Sequence, residues 1–123
     1  MTETPTQRIL LAEDDDAMRV YLERALVNAG YSVDSVDRGT DAIPLLEGAQ
    51  YDLLLSDIVM PEMDGIEAFK LINEQHKNLP IVALTANVAP RDVSAYLNTG
   101  FTSHIGKPID MQLLYSCLSR LLA

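Results

Sequence analysis

The chain has 123 residues, 48% of them apolar and 22% charged, with a net charge of −9. That is one domain's worth of polypeptide with enough apolar mass for a real core, which excludes an intrinsically disordered chain. No apolar run approaches the ~20 residues of a membrane span, and the acidity opposes direct binding to nucleic acid or anionic lipid, which needs basic patches.

Residues 1–7, MTETPTQ, lack the basic-then-apolar plan of a secretory leader and read as a flexible lead-in. The first apolar run, RILLA at 8–12, is nearly continuous, as in a central strand covered on both faces. Four acids follow, Glu13 to Asp16. Met18, Tyr21, Leu22, Ala25, Leu26 and Ala29 then keep helical spacing until Gly30 stops the helix. YSVDSV at 31–36 alternates, as a strand nearer an edge does. A second helix is expected from about Thr40 to Leu46. With Thr40 as N-cap, Pro44 falls in the first turn and sacrifices only one bond.

DLLLS at 52–56 and IVALT at 81–85 are again continuously apolar. Between them a third helix starts near Asp64 and carries Ile66, Phe69 and Ile72. A fourth, near Pro90 to Asn98, puts Val93, Tyr96 and Leu97 on one side. TSHI at 102–105 takes its place as a strand from the rhythm alone. The last helix starts at Asp110, a good N-cap, and is expected to bury Leu113, Leu114, Cys117, Leu118 and Leu121. Cys117 is the only cysteine, so an internal disulfide and a Cys-type zinc site are excluded, and a reducing cytoplasm is the expected compartment.

Five strand–helix repeats without linker or low-complexity tract imply a single domain with a parallel sheet and helices on both faces. The length suits a flavodoxin-like (βα)5 doubly wound fold of strand order 2-1-3-4-5. Ligands of that class sit beyond the carboxyl ends of the strands. Glu13 and Asp14 follow the first strand, Asp57 the third, Thr85 the fourth and Lys107 the fifth. Converging carboxylates repel one another, and a hard divalent cation such as Mg²⁺ relieves the repulsion through oxygen ligands. Lys107 adds a cation for Asp57 or an incoming anion, and Thr85 a hydroxyl. One acid as nucleophile, others for a metal, a lysine and a hydroxyl are the parts of phosphoryl transfer to a carboxylate. Asp15 and Asp16 stand where the first helix begins, where acids cap it and favour its dipole.

LLAEDDDAMR, DLLLSDIVMPEMDG, LTA and GKP, in that order and spacing, resemble the receiver domain of two-component response regulators across essentially the whole chain. The resemblance implies that Asp57 accepts a phosphoryl group from a histidine kinase or histidine phosphotransferase. It implies Mg²⁺ held by Asp14, Asp57 and the backbone carbonyl of Ile58, with Glu13 acting through water. It places Lys107, Thr85 and the backbone N–H groups of Val59 and Ala86 on the phosphoryl oxygens. The Lys107–Pro108 bond is expected to be cis. Val59 and Asn87, two residues past Asp57 and Thr85, flank the path of an attacking water and would tune phosphoryl lifetime.

His104 stands where the family usually has Tyr or Phe. It is either a polar switch sensitive to protonation or a half-buried residue without special role. His76 reads as solvated, Met18 as core, and Met60 and Met63 as shaping the loop around Pro61. The expected function is a phosphorylation-dependent signalling switch, catalysing only its own phosphorylation and dephosphorylation. Its loops would change the face formed by the fourth helix, fifth strand and fifth helix, which meets an unknown output protein. Without an output domain of its own in 1–123, the chain resembles bacterial single-domain regulators, as a monomer or weak dimer. A phosphorelay intermediate and an unphosphorylated docking module are the alternatives. A flavodoxin-like cofactor binder would need a Gly/Ser/Thr phosphate loop where the acids stand. A hydrolase with an aspartyl-phosphate intermediate would need a second acid close to Asp57.

Overall fold

The computed structural model describes residues 7–37, 39–57, 78–85 and 102–122, without the side chains of 39, 40, 57 and 85. The helices expected from Asp64 and from Pro90, with Ile66, Phe69, Ile72, Val93, Tyr96 and Leu97, lie outside these residues, as do Met60, Met63 and His76. Five parallel strands, β1 (Arg8–Ala12), β2 (Ser32–Val36), β3 (Leu53–Asp57), β4 (Ile81–Thr85) and β5 (Ser103–Gly106), form one sheet of order β2-β1-β3-β4-β5. This is the flavodoxin-like order that the strand–helix rhythm predicts.

The continuous apolar runs exist because both faces are covered. Successive side chains alternate between faces. Ile9, Leu11, Leu53, Leu55, Val82, Leu84 and Ile105 pack on one side with Leu22 and Leu26 of α1 (Asp16–Asn28) and with Leu114, Cys117 and Leu118 of the C-terminal helix (Met111–Leu121). Leu10, Leu54, Ile81 and Ala83 turn to the other side, against Ala42 and Leu46 of α2 (Gly39–Gly48). β2 shows only half-buried and exposed positions, as its place at the edge requires.

Caps fix the helix starts. The Asp15 carboxylate accepts from the Met18 N–H at 2.9 Å, and Asp110 accepts from the Gln112 N–H at 2.9 Å. Gly30, at φ +103, turns the chain away after α1 in a conformation that side-chain-bearing residues rarely adopt. No helix among the described residues is long and apolar enough to cross a membrane.

Three expectations need correction. Tyr21, placed in the inward stripe of α1, is 53% exposed, and Ala29 is exposed too; the buried stripe narrows to Leu22 and Leu26. Leu113 is 61% exposed, because the inward face of its helix is set by Leu114, Cys117 and Leu118, one residue-step of about 100° away. Thr40 is not the N-cap of α2. The helix already includes Gly39, so Pro44 sits in its middle with its side chain exposed. The ring removes the N–H that would reach the Thr40 carbonyl, and solvent exposure keeps that loss tolerable.

Candidate site at the strand ends

Register brings the expected residues to one edge. Ala12 pairs with Ser56, so Glu13 and Asp57 are the next residues on adjacent parallel strands. Asp57 pairs with Leu84, and Thr85 pairs with Gly106, the residue before Lys107. Four neighbouring strands therefore deliver Glu13 and Asp14, Asp57, Thr85 and Lys107 along one carboxyl edge. The backbones of Asp57 and Thr85 close β3 and β4 there; their side chains are outside the described part, as are Ile58, Val59, Ala86 and Asn87.

Direct contact closes the edge. Lys107 Nζ donates to Glu13 Oε1 at 2.7 Å across 94 residues of sequence. The Glu13 side chain has no solvent exposure, and that of Lys107 has 23%. A carboxylate withdrawn from water requires compensation, and the ammonium supplies it. The sequence suggests Asp57 or an anion as the partner of Lys107; the structure gives it Glu13, and the Asp57 side chain lies outside the described part. The Lys107–Pro108 peptide bond is cis, as expected. Asp14, next along the chain, is exposed at the surface of the same edge.

Asp15 and Asp16 belong to the helix start rather than to the strand edge. Asp15 is the N-cap, and Asp16 accepts from Arg19 Nη2 at 2.5 Å. Arg19, which no sequence motif marks, links this helix start to the strand edge. Its Nη1 donates to the Glu13 carbonyl at 3.0 Å. The hydrogen bond that it donates to Asp16 is the main cause that raises its guanidinium pKa, aided by the charges of Asp16, Asp37 and Glu23 against the cost of burial. An Arg six positions after an acid that ends a strand was the available signal, but a solvated helix arginine looks the same in sequence.

His104 is half-buried on β5, opposite Ala83 of β4. Its neighbour Ile105 belongs to the core shared with α1, so by strand alternation His104 faces the α2 side of the sheet. Among the described residues no three His, Cys, Asp or Glu side chains gather as a metal-holding group. The trio expected to do so includes Asp57, whose side chain is not described.

Comparison with known proteins agrees with this geometry. Residues 9–119 match the family described as the response regulator receiver domain. The transcriptional regulatory protein TctD of Salmonella typhimurium is 39% identical over 115 residues, 94% of this chain and 51% of its own length. The transcription factor SKN7 of Candida albicans is 38% identical over 116 residues, 94% of this chain and 21% of its own length. The chain thus spans about half or less of these curated relatives. Among solved structures, the chemotaxis response regulator CheY4 of Vibrio cholerae superposes with a TM-score of 0.89 at 28% identity, covering 95% of this chain and 99% of that one. TrrA of Thermotoga maritima, solved in complex with Mg(2+)-BeF, gives 0.84 at 27% identity, over 94% and 99%. With the strand order, the edge residues and this match in agreement, the chain belongs to the response regulator receiver domain family of two-component signalling.

Proposed function

We propose that this receiver takes a phosphoryl group from the phosphohistidine of a histidine kinase or phosphotransferase onto Asp57, with Mg²⁺ as cofactor. The observation that carries the reading is the junction of four strand ends at one edge, closed by the Lys107–Glu13 contact. The donor set fits Mg²⁺. Glu13, Asp14 and Asp57 offer oxygen ligands on adjoining chain positions, their negative charge exceeds what Lys107 supplies, and Asp14 is open to solvent, so waters can complete an octahedron. When bound, Mg²⁺ would neutralise charge on the transferring phosphoryl oxygens. TrrA, a relative of the same fold, was solved with Mg(2+)-BeF.

The Asp57 carboxylate supplies the attacking oxygen. An O–P bond forms as the N–P bond of the donor breaks, and the imidazole nitrogen leaves with its electron pair. Lys107 stands ready to neutralise the phosphoryl oxygens, and doing so shares its ammonium away from Glu13. Thr85 is the hydroxyl that hydrogen-bonds the transferred group. The acyl phosphate carries roughly −1.5 to −2, by analogy with other phospho-side chains, where the carboxylate carried −1, and this larger charge biases the loops beyond β4 and the face around β5 toward a second arrangement that a partner reads. His104 lies on that strand.

The test is incubation of the chain with Mg²⁺ and acetyl phosphate, followed by intact mass. Wild type should gain one phosphoryl group and Asp57→Asn none. Gain in the Asn variant would move the acceptor elsewhere; no gain in wild type, with or without a kinase, would reject the reading.

A further inference from the structure

The turn between β1 and α1 carries four successive acids, yet it is fastened at nearly every step. The Glu13 N–H donates to the Val36 carbonyl at 3.1 Å. The Glu13 carbonyl accepts from Arg19 Nη1 at 3.0 Å. The Asp15 carboxylate caps the helix through the Met18 N–H at 2.9 Å, and the Asp15 carbonyl accepts from the Arg19 N–H at 2.8 Å. Asp16 Oδ1 takes the second arm of the Arg19 guanidinium at 2.5 Å. Arg19 therefore grips the chain on both sides of Asp14, at Glu13 and at Asp16. Its own side chain is only 19% exposed.

We propose that Arg19 is a positioning residue for the metal site: its two-armed bridge between the Glu13 carbonyl and Asp16 holds the turn so that the Asp14 carboxylate is set for Mg²⁺ before the ion arrives. The inference rests on the Mg²⁺ reading above. A planar fork can hold two acceptors at once in fixed geometry, which an ammonium cannot. Groups that orient a metal ligand from behind are worth 10- to 100-fold in affinity. The same grip fixes the backbone of Glu13, whose carboxylate is in contact with Lys107.

Charge and position make opposite forecasts here. A guanidinium near a dication repels it, so deleting the charge alone should tighten Mg²⁺ binding, weakly and less so in salt. Deleting the bridge should loosen the turn and weaken binding. A purely structural residue would lower the melting temperature and leave the affinity of the folded protein unchanged.

The experiment is Mg²⁺ titration of the full chain at fixed ionic strength, by calorimetry and by amide NMR shifts, for wild type, Arg19→Met and Arg19→Lys. Amide hydrogen exchange from Glu13 to Asp16 is measured in the same proteins without metal. Arg19→Met should weaken Mg²⁺ about ten-fold and speed exchange in the turn, with Arg19→Lys in between, because it keeps the charge but one arm. Equal or tighter affinity in folded Arg19→Met overturns the proposal. Should Arg19→Met not fold, Arg19→Lys decides: weaker binding supports the bridge, unchanged binding overturns it. A wild type that takes up no Mg²⁺ overturns the metal reading, and this inference with it; wild-type uptake with unaltered variants overturns this inference alone.

Discussion

Lys107 and Glu13 meet at 2.7 Å although they lie 94 positions apart in the sequence, and the Glu13 side chain is wholly withdrawn from solvent. The ion pair ties the end of β5 to the end of β1, which the sheet keeps apart by β3 and β4. It therefore joins the two outer members of the site edge across the strand that carries Asp57. Any anion or cation entering between them must compete with the pair.

That competition yields a stability prediction. Lys107→Met takes the ammonium away from a carboxylate with no access to water. Breaking a buried pair costs roughly 3–5 kcal/mol, and partial exposure of the lysine reduces this to about 2 kcal/mol. A bound dication should restore much of the loss, since it stabilises the folded state by mass action and meets no competing ammonium in the variant. Urea unfolding with and without Mg²⁺ should show the midpoint of Lys107→Met rising more with metal than that of wild type. Equal rises would mean that lysine and metal do not share Glu13.

The frame of this site was legible in sequence because it depends on period and position. Leu53, Leu54 and Leu55 had to face both ways, so a central strand was forced, and whatever followed it had to lie at the carboxyl edge. Side-chain choices were less legible. Tyr21 and Leu113 have apolar bodies, but they stand just outside the buried arc of their helices. Lys107 had several acids within reach, and only the folded geometry gives Glu13. Arg19 donates to a backbone carbonyl, an acceptor that every residue carries and no sequence pattern marks.

At the opposite end of the sheet a second prediction concerns alkaline pH. Tyr51 is partly buried and donates its hydroxyl to Asp34 Oδ2 at 2.6 Å, beneath the Arg8 guanidinium at 4.7 Å from its ring centroid. Burial foremost, then the bond to Asp34 and its charge, push the phenol from 10.0 up to about 12, against a smaller lowering by Arg8. The folded pKa is raised, so the folded state keeps a proton that the unfolded state releases. The contribution is fully present below pH 10 and is lost as the pH rises toward 12. After discounting for solvent screening it amounts to about 1 kcal/mol. Absorbance titration of the phenols should show a late-titrating component, which Tyr51→Phe removes. A titration unchanged by that substitution would refute the assignment.

The third prediction comes from Pro44, in the middle of the ten-residue helix Gly39–Gly48 and facing solvent. Ala42 and Leu46, on either side, are buried against Leu10, Leu54, Ile81 and Ala83, so packing holds this helix in place despite the missing N–H. Alanine is favoured over proline in a helix interior by about 3 kcal/mol. Proline returns about 1 kcal/mol by restricting the unfolded chain. Exposure means that the ring's removal forfeits little packing. Pro44→Ala should therefore stabilise the fold by about 1–2 kcal/mol, read as a higher urea midpoint with an unchanged slope. Destabilisation would show instead that the proline ring sets the bend by which Ala42 and Leu46 both reach the sheet, making the interruption of the helix a condition of its packing.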